Sequence, residues 1–315
     1  MKRIILTGAS GQVGRHTIAP LIAAGYEVHA FYSSNPIPTT DGVVLHRVNL
    51  MNHAETKEIV ESIQTDQLIH LAWFLGNNHH HNPSINIQWT MATLNLLEVF
   101  HETGGKRAVF AGSVAEYDSE HGNYCTEYVT QTSPEMIYGK CKAALSDLVC
   151  ACAKHYGISL SWARLFPAYG PYDKPYRLTA SVINNILDGA DIKVGHCMKY
   201  QDAVYVQDLG DGLVALLESD VTGIVNIGTG IPVLLREMVT KIADIMDFKG
   251  KIEWGSFDSD YRRPFCVPSI TRMMQEVGWH PKVTLEEGLQ RSIEWWKQQR
   301  QLCLNKDKSI LRKAG

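Results

Sequence analysis

The sequence has no apolar run near the ~20 residues that a bilayer-spanning helix needs, so no membrane partner is expected. It has no strong charge excess either: 30 Lys and Arg stand against 33 Asp and Glu, a formal net charge of −3. Only a weakly basic stretch appears, from Lys306 to Lys313, and nucleic acid is not an expected partner. No Cys-x-x-Cys pair occurs, and the seven cysteines (Cys125, Cys141, Cys150, Cys152, Cys197, Cys266, Cys303) are odd in number and scattered. The expectation is reduced thiols and a cytoplasmic location, without a disulfide framework or a metal site. The opening MKRIILTGAS enters a strand at once, so no secretory leader is expected. His79, His80 and His81 stand in a row with no carboxylate near them. Three adjacent side chains do not converge on one ion without a special loop, so they read as a polar loop.

What the chain does have is alternation. RIILTG, TIAPLIAAG, EVHAFY, ETKEIVESI and QLIHLAW read as strand, helix, strand, helix, strand. TLNLLEVFHETG is the next helix and RAVFAGS the next strand. A long helix through ALSDLVCACAKHYG and the strand SLSWARLF follow. This order predicts an α/β fold, a parallel sheet with helices on both faces. After Phe166 the pattern loosens. YGPYDKPYR reads as a loop, SVINNILDGA as a helix, and DAVYVQDLGDGLVALLES as a strand and helix. GIVNIGTG reads as a strand and turn, LLREMVTKIADIMDF and LEEGLQRSIEWWKQQR as helices. The division is an N-terminal nucleotide-binding layer and a smaller C-terminal part, with the chain crossing between them more than once.

Directly after the first strand comes Thr7-Gly8-Ala9-Ser10-Gly11-Gln12-Val13-Gly14, opening a helix. Glycines there permit a tight turn and close backbone approach to a pyrophosphate seated on the helix N-terminus. Gly8, Ser10, Gly11, Gln12 and Val13 are therefore candidate dinucleotide contacts. The second strand ends in Tyr32-Ser33-Ser34, with no carboxylate to hold a ribose 2′-hydroxyl. Ser33 and Ser34, with Arg15 or Arg47, are placed to receive a 2′-phosphate, which favours NADP (NADPH) and leaves NAD as the alternative. Asn49 and Leu50 close the third strand on the adenine side. His70, Leu71 and Ala72 close the fourth beside the nicotinamide path.

Tyr138 and Lys142 stand four residues apart in MIYGKCKAAL, with Ser113 upstream at the end of RAVFAGS. Positions i and i+4 share a helix face, so a phenol and an ammonium can reach one ligand. A nearby ammonium favours phenolate and lowers a tyrosine pKa, and a serine hydroxyl can share the same substrate oxygen. Taken alone, Tyr-x-x-x-Lys also fits an ordinary surface helix.

Together TGASGQVG, HLA, Ser113 with Tyr117, YGKCK, RLFPAYGPY, DAVYVQD and NIGTG resemble the extended short-chain dehydrogenase/reductases. The chain looks like the NAD(P)-dependent epimerase/dehydratase branch that acts on nucleotide sugars, from Lys2 to about Trp296. The resemblance implies a Rossmann-type doubly wound parallel sheet with a smaller C-terminal substrate domain, paired as a homodimer through two helices per subunit. Residues 1–167, with about 203–230, would form the NAD(P)-binding domain. About 168–202 and 231–300 would bind the nucleotide sugar, and 301–315 would be a tail. It implies Tyr138 as acid/base, Lys142 on the nicotinamide ribose and the tyrosine pKa, and Ser113 on the reacting oxygen.

Departures narrow the choice. The Asp-Glu pair that performs elimination in 4,6-dehydratases is Val114-Ala115 here, and Glu116 comes one place late. An asparagine that contacts sugar in relatives is Pro167, and an arginine for the diphosphate is Gln201. Arg177, Lys199, Arg262 and Arg263 are the candidates to replace that charge, beside Ser113 and Val114 as substrate contacts. The leading expectation is an NADPH-dependent ketoreductase of a nucleotide-activated 4-keto-6-deoxy sugar. The alternative is a nucleotide-sugar 4-epimerase, and a lesser one a non-catalytic NADP-binding regulatory protein.

Overall fold

The computed structural model describes residues 2–76, 81–118, 124–256 and 265–313, the last stretch with side chains as far as 305. The first half runs β1 (Lys2–Thr7), α1 (Gln12–Ala23), β2 (Tyr26–Tyr32), β3 (Val43–Arg47), α2 (His53–Ile63), β4 (Gln67–His70), α3 (Pro83–Glu102), β5 (Arg107–Ser113), α4 (Ile137–Tyr156) and β6 (Ser159–Leu165). The second half runs β7 (Ala168–Tyr169), α5 (Leu178–Leu187), β8 (Ile192–Val194), β9 (Tyr200–Gln201), β10 (Val204–Tyr205), α6 (Val206–Glu218), β11 (Gly223–Ile227), β12 (Val233–Leu234), α7 (Leu235–Ile245), β13 (Ile252–Trp254), β14 (Phe265–Cys266) and α8 (Leu285–Lys313). The last helix continues through the stretch read as a tail from 301 onward.

Seven strands form one sheet in the order β11-β6-β5-β4-β1-β2-β3, every pair parallel. A parallel sheet covered on both faces needs strands that are apolar on both sides. Ile4, Ile5 and Leu6 of β1 and Leu68 and Ile69 of β4 are accordingly fully buried. One face is covered by α1 and α6 through Ile18, Leu21, Leu209 and Leu213. The other is covered by α2, α3 and α4 through Val60, Leu96, Phe100, Leu145 and Val149. This is the α/β architecture the alternation predicts. A third core, around Val182, Ile183, Met238 and Ile242, sits under three small sheets: β10-β7, β12-β9-β14 and β13-β8.

The strand order reverses between β1 and β4, the place where α/β sheets open a crevice at their carboxyl ends. His70, at the end of β4, joins both sides of it. Its Nδ1 lies 2.7 Å from Thr7 Oγ1, and its Nε2 lies 3.0 Å from Thr93 Oγ1 on α3. Thr93 donates to the Trp89 carbonyl and Thr7 accepts the Ala72 N–H, which fixes the direction of the chain. His70 must carry its proton on Nε2 and accept at Nδ1, a neutral imidazole with every partner satisfied.

Candidate active site

Three wall segments meet at the carboxyl ends of β1, β4 and β5. The first is the glycine loop. Gly8 takes φ +70°, and a Cβ at Gly14 would stand 2.2 Å from the Gly8 carbonyl, so neither position admits a side chain. The helix α1 then starts at an N-cap, Gly11, that offers no side-chain acceptor, and its first turn holds no acid. Uncapped N–H groups and an unopposed positive helix end fit the pyrophosphate of a dinucleotide. Gln12 Nε2 is buried here without a hydrogen-bond partner. Ser10, Gly11 and Val13 belong to the same turn.

At the adenosine end, Ser33 and Ser34 are exposed beyond β2, and Arg47 Nε donates to the Ser33 carbonyl at 3.2 Å. A guanidinium thus stands beside the two serines. Arg15 is turned elsewhere, with Nε on the Ser10 carbonyl and its guanidinium 4.6 Å from the Tyr172 ring centre. Asn49 is exposed and its amide oxygen accepts the Met51 N–H, while Leu50 is core. Leu71 and Ala72 bond back to Thr7, closing the crevice at β4.

The second wall carries the trio. The helix α4 begins at Ile137, and a Cβ at Gly139 would meet the Ala115 carbonyl at 2.3 Å. That bare position lets the first turn of α4 close on the turn Val114–Glu116 and brings Tyr138 to Ser113, whose side chains are hydrogen-bonded. Ser113 Oγ also accepts the Ala115 N–H at 3.1 Å, leaving its own proton to donate. Burial pushes the Tyr138 phenol up to about 12, opposed by the Ser113 hydrogen bond and assisted by the charge of Glu116.

Lys142 lies beside two groups that its helical spacing does not reveal. Its Nζ donates to the Ala111 carbonyl at 2.7 Å and sits 3.9 Å from the centre of the Trp73 ring. Burial lowers it to about 7, against the attraction of Glu116. For Tyr138 and for Lys142 alike, burial is the largest influence.

Behind Ser113 lies a residue that the sequence left as a late acid. Glu116 is fully buried and accepts the Ser113 N–H (2.6 Å), the Trp162 indole N–H (3.0 Å) and the Arg164 Nε–H (2.7 Å). Arg164 also lies 4.5 Å from the ring centre of Tyr117, whose hydroxyl donates to Asn226 at 2.7 Å. Tyr117, Arg164 and Asn226 come from three separate motif stretches, so those motifs are one buried network. Val114 packs against Tyr117, Cys125, Phe166 and Cys266.

The third wall is the C-terminal side. Asp173, Arg177, Thr179, Gln201 and Met238 line a cavity of ≈ 60 Å³ with Pro167, Ala168 and Tyr169. Arg177 bonds Asp173 at 3.3 Å. Lys199 does not line this cavity; its carbonyl accepts the Leu235 N–H. Arg262 and Arg263, like His79 and His80, lie outside the described residues. Among the described residues no group of His, Cys, Asp and Glu could hold a metal, and no helix is long and apolar enough to cross a membrane. None of the seven cysteines is in a disulfide.

Sequence reasoning missed Trp73, which adjoins both Tyr138 and Lys142, and Asp173. Trp73 directly follows the HLA stretch, so its place beside the crevice was readable but its partners on α4 were not.

Comparison with known proteins agrees with this architecture. The chain is 29% identical over 313 residues to UDP-glucuronic acid decarboxylase 1 of Xenopus tropicalis, covering 95% of this chain and 73% of that one. It is 25% identical to a UDP-glucuronate 4-epimerase of Thermodesulfobacterium geofontis, covering 85% and 84%. Its fold superposes on a UDP-glucose 4-epimerase of Thermotoga maritima, crystallised with UDP-glucose, with a TM-score of 0.87 at 22% identity, covering 94% and 99%. No ketoreductase is among these relatives. Residues 4–228 match one family throughout, and the chain belongs to the NAD dependent epimerase/dehydratase family.

Proposed function

We propose that this chain is a nucleotide-sugar 4-epimerase: it oxidises a sugar hydroxyl to a ketone and reduces the same carbon again. The observation that carries the reading is the assembly of Ser113, Tyr138 and Lys142 at the crevice with only Val114 and Ala115 following the serine. The names of the relatives point to one carbon. A 4-epimerase inverts C4, and loss of CO2 from a C6 carboxylate needs an electron sink at the β-carbon, again C4. Both begin with a C4 ketone. Elimination would need an acid and a base directly after Ser113, where Val114 and Ala115 stand, and Glu116 is committed to the Ser113 N–H and Arg164.

The turn Gly8–Val13 holds the pyrophosphate. When bound, the dinucleotide supplies the hydride acceptor and donor. Tyr138 takes the hydroxyl proton during oxidation and returns it during reduction. Ser113 donates to the same oxygen and keeps Tyr138 aligned. Lys142 holds positive charge near the phenol and the ribose. Glu116 touches no substrate: it fixes the Ser113 backbone from behind. A homodimer completes the reading, supported by exposed Ile87 and Met91 on α3 and Leu148 on α4, and sedimentation velocity tests it.

A second reading, the NADPH-dependent 4-keto sugar reductase, is favoured by one observation: Ser33, Ser34 and Arg47 stand where a carboxylate would select NAD. One experiment separates the two. The purified protein is incubated with UDP-hexoses, UDP-hexuronic acids and 4-keto-6-deoxy sugar nucleotides, with NAD(H) or NADP(H), and products are resolved by chromatography. A C4 epimer formed without net change at 340 nm is the expected result. Stoichiometric NADPH consumption would replace it with the reductase, and CO2 release with a decarboxylase.

A further inference from the structure

We propose that Trp73 is a positioning residue of this site, holding the Lys142 ammonium on its indole face and packing at a steep angle against the Tyr138 ring. The inference rests on the reading of Ser113, Tyr138 and Lys142 as the proton-handling centre, and adds a fourth side chain on which two of them depend.

The geometry is direct. Lys142 Nζ lies 3.9 Å from the Trp73 ring centre, with Trp162 more distant at 5.5 Å. The Tyr138 and Trp73 rings meet edge to face, 6.1 Å apart at 71°. The indole is itself anchored. Its N–H donates to Asn86 Oδ1 on α3 at 3.1 Å, and its ring rests 6.1 Å from Trp89. Asn86 is fully buried and its amide donates to the Asn82 carbonyl, so the anchor is fixed in turn.

The choice of an aromatic partner has a chemical consequence. The charged or titratable groups that interact with Lys142 are Glu116 on the turn after β5 and His70 on β4, and Tyr138 lies one helical turn earlier on its own helix. Glu116 is already taken by Ser113, Trp162 and Arg164, and His70 is neutral between two threonines. A carboxylate beside Lys142 would fix the ammonium in a salt bridge. An aromatic face attracts the charge without using a hydrogen-bond acceptor, so the ammonium keeps donors for a ligand. A desolvated ammonium benefits most from such a face. Burial already lowers Lys142 to about 7, so losing the face brings deprotonation nearer to neutral pH and below it.

The test is the pH dependence of turnover and of dinucleotide binding from pH 6 to 9 in Trp73→Leu and Trp73→Phe. In Trp73→Leu the basic limb of kcat should move about one unit toward lower pH. Dinucleotide affinity should weaken about tenfold at pH 8.5 and only about threefold at pH 6.5. Trp73→Phe, which keeps a face and loses the N–H, should recover most of both. Should the leucine variant fail to fold, fluorinated tryptophans incorporated into the wild-type chain keep the shape and weaken the face. The basic limb should then shift in step with fluorine number, and not in a Trp73→Phe background. A Trp73→Leu profile that superposes on wild type, or fluorination of the wild-type chain without a shift of the basic limb, would overturn the proposal. Absence of turnover in wild type would instead sink the functional reading, and the binding titration would still decide the role of Trp73.

Discussion

The two sides of the crevice are built differently. The wall made by β4, β5 and α4 is buried and closed: Tyr138, Lys142, His70 and Glu116 are all buried, and each has a partner. The opposite side is made of two- and three-residue strands, with Tyr172, Tyr176, Met198 and Tyr200 exposed. The ion pair Asp173–Arg177, which lines the cavity there, joins a buried carboxylate to a half-exposed guanidinium. A packed wall holds one chemistry in place, whereas an irregular wall can change its substrate without disturbing the sheet. Members of one family can therefore share a proton-handling trio and differ in what they transform.

The hardest way to break that comparison is at the phenol. Tyr138→Phe should lower kcat/KM by ~10²–10⁴, the range for removal of a general acid or base, with dinucleotide binding and melting temperature little changed. Steady-state kinetics beside a calorimetric melt checks both. A large loss of stability would mean that the tyrosine belongs to the core first.

Glu116 comes next. Glu116→Gln keeps the shape but leaves the buried Arg164 guanidinium without its counter-charge, which costs about 3–5 kcal/mol in comparable cases. Denaturant melts should show that loss, and adding Arg164→Met should restore much of it. Two independent, additive losses would contradict a coupled network.

His70 gives a smaller effect with a definite sign. Burial holds it at about 3, below the ordinary 6.5, so between those values the unfolded chain binds more protons. Stability therefore falls as pH drops below 6.5, by about 2 kcal/mol at pH 5. A proton on Nδ1 would also face the Thr7 hydroxyl proton, breaking the link across the crevice. His70→Asn should flatten the acid limb in melts at pH 7 and 5.

The packed wall was also the more legible one. Alternating apolar runs marked the strands that enter the sheet, and the spacing of Tyr138 and Lys142 put them on one helix face. Local pattern did not reveal how those side chains are held. Glu116 looked misplaced because its partners, Trp162 and Arg164, are 46 and 48 residues away in sequence. Helical spacing likewise says nothing of Trp73, 69 residues before Lys142, whose ring lies under the ammonium, or of desolvation. On the open side, Lys199 and Arg177 looked equivalent as charges. Only packing of the loop after β7 sets Arg177 against Asp173 in the cavity and leaves Lys199 out of it.

Arg177 is where the comparison is sharpest, because the expected effect is small in stability and selective in kinetics. The guanidinium is 45% exposed on its side chain, so its pairing with Asp173 is screened, and Arg177→Met should change stability by less than about 1 kcal/mol. If the open side binds the charged part of a sugar nucleotide, that contact is equally strong in ground and transition states. Its removal then raises KM, by roughly tenfold, and leaves kcat within about twofold. The same variant should tolerate higher salt better than wild type, since the contact it lacks is the one that salt weakens. Loss of kcat with unchanged KM would instead place Arg177 among the groups that act on the reacting carbon, and the division between a chemical wall and a recognition wall would fail at that residue.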